Sequence, residues 1–107
     1  MEAKQYQVIL VNLDDSAGSE AKKTGQCVVI SPDEMNKFLK TLTIAPVTAD
    51  SEGYPTRIKI KLNNKTSRVV LDQIMTIEKT RIIKVLGEIS VPEIKKIKAV
   101  LKETFID

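Results

Sequence analysis

The amino-acid sequence predicts a single, mainly β domain of the α+β class that ends in an amphipathic helix. Three observations carry this expectation. Short runs rich in Val, Ile and Leu recur between clusters of Gly, Pro and Asn. Residues 56–62 read T-R-I-K-I-K-L, a strict period of two. From Val91 onward, apolar residues return at helical spacing instead. A chain of 107 residues is enough for one core and no more.

Taken in order, residues 6–13 form an apolar run expected to be a strand buried on both faces. Residues 14–25 are polar and aperiodic, a loop of a length that is usually functional or mobile. Residues 26–30 make a second strand. Ser31-Pro32-Asp33-Glu34 then reads as a capping box, with Ser31 as N-cap of a short helix running to about Leu39. Residues 41–47 form a third strand, and 49–55, with Gly53 and Pro55, a loop.

The alternation at 56–62 puts Ile58, Ile60 and Leu62 on one face and Arg57, Lys59 and Lys61 on the other. Asn63-Asn64-Lys65 is a hairpin turn leading into a strand at 67–72. A single helical turn at 76–80 and a last strand at 81–86 follow. Ser90-Val91-Pro92-Glu93 is a second capping box. It opens a helix whose stripe is Ile94, Ile97, Leu101 and Phe105, widened by Val100 and Ile106, with Lys95, Lys96, Lys98 and Lys102 opposite.

Composition narrows the chemistry. The chain has no histidine, which excludes a His-based acid or base, a Ser-His triad and most catalytic zinc sites. Cys27 is the one cysteine, so neither an intrachain disulfide nor a cysteine zinc cluster can form, and its apolar setting reads as a buried thiol. No cofactor is called for. No apolar run approaches the roughly 20 residues of a membrane span, so the expected compartment is the cytoplasm. Net charge is only +3, but five basic residues and no acidic one fall between Gly53 and Leu71.

The basic face of 57–61 spaces cations about 6–7 Å apart, near the repeat of a nucleic-acid backbone. The competing reading is a solvated edge-strand face that resists aggregation. Tyr54, beside this strand, is the candidate for stacking on a base, whereas Tyr6 and Phe105 read as core.

The stretch from Asn12 to Pro32 reads N-L-D-D-S-A-G-S-E-A-K-K-T-G-Q-C-V-V-I-S-P, followed by I-A-P-V-T at 44–48, G-Y-P-T-R at 53–57 and L-D-Q-I at 71–74. Over roughly residues 6–89 the chain resembles the MazF/PemK family of bacterial toxins, small ribonucleases paired with an antitoxin. The resemblance implies a strongly curved antiparallel β-barrel, SH3-like and shared with the gyrase poison CcdB. It also implies a cytoplasmic homodimer with its RNA site along the dimer interface, an acidic disordered antitoxin tail, and metal-independent cleavage of single-stranded mRNA leaving a cyclic phosphate.

Carried over residue by residue, Thr48 matches the catalytic Thr of the MazF branch, and Asp72 the base of the PemK branch. Glu20 matches an acidic loop position common across the family and is the third expected catalytic residue. Ser19, Lys22, Lys23, Gly25, Gln26, Tyr54, Arg57, Lys59 and Gln73 are the expected RNA contacts. The family's cations are missing at their usual places. Gly25-Gln26 stands where relatives have Arg-Pro, Val70 where the PemK branch has Arg, Ser19 where it has His, and Met75 where relatives have Arg. Phe38 likewise occupies a frequent His position. Lys22, Lys23 or Arg57 are the candidate substitutes. Two other functions remain open: an inactive RNA- or antitoxin-binding homologue, and a CcdB-like topoisomerase poison. Against the poison, residues 103–107 read E-T-F-I-D and lack the Trp-Gly-Ile ending of CcdB.

Overall fold

The computed structural model describes residues 3–13, 24–49 and 56–106. Seven strands make one antiparallel sheet: β1 (Gln7–Asn12), β2 (Thr24–Val29), β3 (Thr41–Thr48), β4 (Arg57–Leu62), β5 (Lys65–Val70), β6 (Met75–Glu78) and β7 (Ile82–Glu88). Helix α1 (Asp33–Phe38) joins β2 to β3, and α2 (Val91–Phe105) follows β7. The strand order is β4-β5-β3-β2-β1-β7, with β6 also on β3. One edge of β3 serves two partners, its Val47 and Thr48 pairing with β5 and Thr41 to Ile44 with β6. Irregularities in the β1–β7 register, between Val8 and Ile9 and between Leu10 and Val11, add local twist. The sheet accordingly curls into half a barrel, the mainly β architecture expected.

Curling gives the sheet two cores. Val8 and Val28 pack with Val69, Leu71 and Ile97 under α2, whereas Ile9, Val11, Cys27 and Val29 pack with Leu42, Ile44 and Ile77 on the other face. This is why β1 reads as a continuous apolar run: both its faces are covered. Cys27 is almost fully buried, and burial pushes its thiol up to about 11, so it stays protonated and inert. Among the described residues no helix is long and apolar enough to cross a membrane.

The second capping box forms as expected. Ser90 Oγ accepts from the Glu93 backbone, and Glu93 Oε1 accepts from Ser90 N at 3.1 Å. Glu93 does more than cap. Its Oε2 accepts from the Lys61 backbone N at 2.8 Å, tying the start of α2 to the edge strand β4. Burial opposes the Glu93 charge, but the bonds from Ser90 and Lys61 outweigh it and hold the carboxyl below its ordinary value. A lowered folded pKa contributes stability above the unfolded value near 4.5, lost as pH falls through the folded one. Ser90→Ala is expected to cost about 1 kcal/mol in urea unfolding at pH 7. The deficit should shrink below pH 4, as wild-type Glu93 protonates.

Four expectations are corrected. Ser31 does not cap α1; the N-cap is Pro32, with no side-chain bond. Ser31 is buried, where its Oγ donates to Asn36 Oδ1 at 2.6 Å and accepts from Thr43 N at 3.1 Å. Satisfying these interior groups outweighs a cap on an exposed helix start. Residues 76–80 are only partly a helical turn: pairing of Thr76 with Thr43 and of Ile77 with Leu42 draws 76–78 into β6, and a 3-10 turn follows at Lys79–Arg81. Asp72 is not in a strand: β5 stops at Val70, and Leu71–Gln73 is a 3-10 turn anchored by the buried Leu71. Finally, Phe105 is 59% exposed, since the last turn of α2 runs past the sheet and the buried stripe ends near Leu101.

Candidate functional site: a groove beside the β4–β5 hairpin

Antiparallel pairing brings the beginning of β2 to the end of β3, with Gln26 opposite Val47. Beside them stands the β4–β5 hairpin, closed by Asn63 and Asn64 at φ 51° and 65°, the left-handed pair of a two-residue turn. An open groove of about 590 Å³ lies between these elements. Thr24, Gly25, Gln26, Thr48, Lys65 and Ser67 supply its polar and backbone lining, over a floor that includes Leu10, Val47 and Leu86. Three expected site residues, Gly25, Gln26 and Thr48, therefore share one groove.

Gly25 meets this groove with its backbone, since its partner Val11 faces the other core. A Cβ built there would meet Leu13 Cδ1 at 2.7 Å, and its three nearest neighbours all belong to the Leu13 side chain. Thr48 pairs across the sheet with Arg68, which in turn pairs with Lys59. Directly opposed residues point to the same face, so these three form a polar row.

A second cluster forms around the 3-10 turn. Asp72 Oδ1 accepts from Thr56 Oγ1 at 2.9 Å and pairs with Arg57 Nε at 3.4 Å. The Arg57 and Thr56 hydrogen bonds hold the Asp72 carboxyl below its ordinary value. Gln73 is exposed on the same turn. Arg57 is thus engaged by Asp72 and does not line the groove, which removes it as the substitute for the family Arg there. Val70, where the PemK branch has Arg, is buried opposite Arg57. Lys59 and Lys61 are exposed on β4, an edge strand, so the basic alternation also meets the requirement of a protected edge. Glu20, Ser19, Lys22, Lys23 and Tyr54 lie outside the described residues.

Sequence reasoning missed Thr24, Lys65 and Ser67. A signal was present: a two-residue Asn-Asn turn fixes Lys65 opposite Leu62, and the period of two then puts Ser67 on the same face.

Residues 4–105 match the family model described as PemK-like, MazF-like toxin of type II toxin-antitoxin system. The chain belongs to this toxin family. Solved structures agree on the fold. An endoribonuclease in complex with its cognate antitoxin from a Mycobacterial species is 20% identical, with TM-score 0.80 over 94% of this toxin and 92% of that chain. MazF from Deinococcus radiodurans is 22% identical, with TM-score 0.76 over 96% of both chains. The MazE-MazF structure from the same organism gives TM-score 0.81 at 19% identity, over 96% of this toxin and 95% of that chain. At such identities these structures bear on the fold of the toxin alone. No curated protein matches the toxin by sequence.

Proposed function

We propose that this toxin is a metal-independent endoribonuclease that cuts single-stranded mRNA and is held in check by an antitoxin. The observation that carries the reading is the meeting of Gly25, Gln26 and Thr48 in one groove of a chain whose family model spans residues 4–105. In the proposed reaction, the RNA 2′-oxygen attacks the adjacent phosphorus and the bond to the 5′-oxygen breaks, leaving a 2′,3′-cyclic phosphate. Asp72 takes the 2′-hydroxyl proton, Thr48 donates to the phosphorane, and the 5′-oxygen leaves with a proton. Glu20 is proposed as a further catalytic carboxylate, Ser19, Lys22, Lys23, Tyr54, Lys59 and Gln73 as contacts along the RNA, and the working unit as a cytoplasmic homodimer. The net charge of +3 suits an acidic, disordered antitoxin segment, steered by charge and folding as it binds.

Purified toxin in excess EDTA is expected to cut a long single-stranded RNA and leave cyclic-phosphate ends. Absence of cleavage on every RNA tried would sink the nuclease reading. A second reading, an RNA- or antitoxin-binding homologue that cuts nothing, is favoured by one observation. Gly25 and the buried Val70 both lack the charge that the family carries at those places. Tight RNA binding without cleavage is the result that would select it.

A further inference from the structure

We propose that Lys65 is the cation that meets the RNA phosphate in the groove. This rests on the RNA-directed reading above and adds a residue to it. Among the described residues lining the groove, Lys65 is the only ionisable one. The hydroxyls of Thr24 and Ser67 and the amide of Gln26 add neutral hydrogen-bonding groups around the same space. That combination, one positive charge amid neutral donors, suits a phosphodiester.

Lys65 is also well placed to act. It is the first residue of β5, paired with Leu62, and the Asn63-Asn64 turn fixes its backbone register. Across the groove Gly25, paired with Val11, presents only its backbone. Among the other described cations, Arg57 is paired with Asp72, and neither Lys59 nor Arg68 lines the groove. A lysine acts as a compact charge on a flexible stem, so it can follow the phosphate from a hairpin shoulder that lies apart from β2.

The test compares Lys65→Gln with wild type. One measurement is the dissociation constant for an uncleavable 2′-O-methyl single-stranded RNA at several salt concentrations; the other is the cleavage rate of ordinary RNA. Lys65→Gln is expected to weaken binding about tenfold, as loss of one charge-assisted hydrogen bond should. The slope of log affinity against log salt should fall by about 0.7, the share of one phosphate contact on a single strand. Cleavage should drop by at least the same factor as binding. Lys65→Arg should restore both, and Lys102→Gln, which removes an exposed charge from α2, should leave both within about twofold. Thermal melts of each variant check folding, which the exposed Lys65 side chain should not affect. If wild type binds and cuts RNA and Lys65→Gln does so equally, the assignment is overturned while the nuclease reading stands. If wild type binds without cutting and Lys65→Gln weakens binding, the assignment holds and the nuclease reading falls. If wild type neither binds nor cuts, both fall.

Discussion

Gly25→Arg is expected to raise the rate of RNA cleavage on the order of 10²-fold, the lower end of what one transition-state donor supplies. The reason is local. Position 25 borders the groove with its backbone, and a side chain there would start toward Leu13, on the face where alternation also puts Thr48. A guanidinium would add there a planar fork able to hold two phosphate oxygens, which the Lys65 ammonium cannot do. Space permits the change. The new Cβ would press on Leu13 Cδ1, the far end of a side chain that is 43% exposed and free to rotate outward. Unfolding free energy should therefore shift by less than about 1 kcal/mol. The Lys65→Gln background sharpens the test: side chains at 25 and 65 start from opposite faces of the sheet, so the two changes should add. A variant that folds like wild type yet cuts no faster would show that charge at position 25 does not limit this toxin.

The sequence made the two-faced burial of β1 legible because Val8, Ile9 and Val11 leave no polar position in the run. It also made α2 legible from Ser90 and Glu93, whose capping interactions are local. The Asn63-Asn64 turn was readable for the same reason. What the sequence hid depended on partners distant in the chain. Ser31 resembles an N-cap until Asn36 and Thr43 are seen to claim its hydroxyl. Residues 76–78 resemble part of the helical turn that follows them until β3 offers Ile77 a partner. The site divides in the same way. Gly25, Gln26 and Thr48 were named from motif alone, and the register of β2 on β3 brings them to the same end of the sheet. Lys65 matched no motif, and its meaning comes from the groove that its hairpin borders.

Asp72→Asn is expected to lower cleavage by about 10²-fold, with RNA affinity changed only a few-fold, if Asp72 takes the proton from the 2′-hydroxyl. Hydrogen bonds from Arg57 and Thr56 hold its carboxyl below the ordinary value of 3.8. It is therefore ionised, and ready to accept, throughout the neutral range. The sign fixes the pH profile: cleavage should show no acid limb from this group between pH 5 and 8, and should fall only below about pH 4. The same pairing has an opposing effect. A carboxylate stabilised by a guanidinium is a weaker base, which is why the expected loss lies at the low end of the range for acid–base catalysis. Asparagine keeps an oxygen to accept from Thr56 and Arg57 but cannot carry the proton, so it separates chemistry from placement. A fall in the maximal rate at unchanged binding identifies a base. An equal fall in binding would instead make Asp72 a positioning residue that holds Arg57 against the RNA. Undiminished cleavage by Asp72→Asn would move the base to another group, and Glu20 would be the next carboxylate to replace.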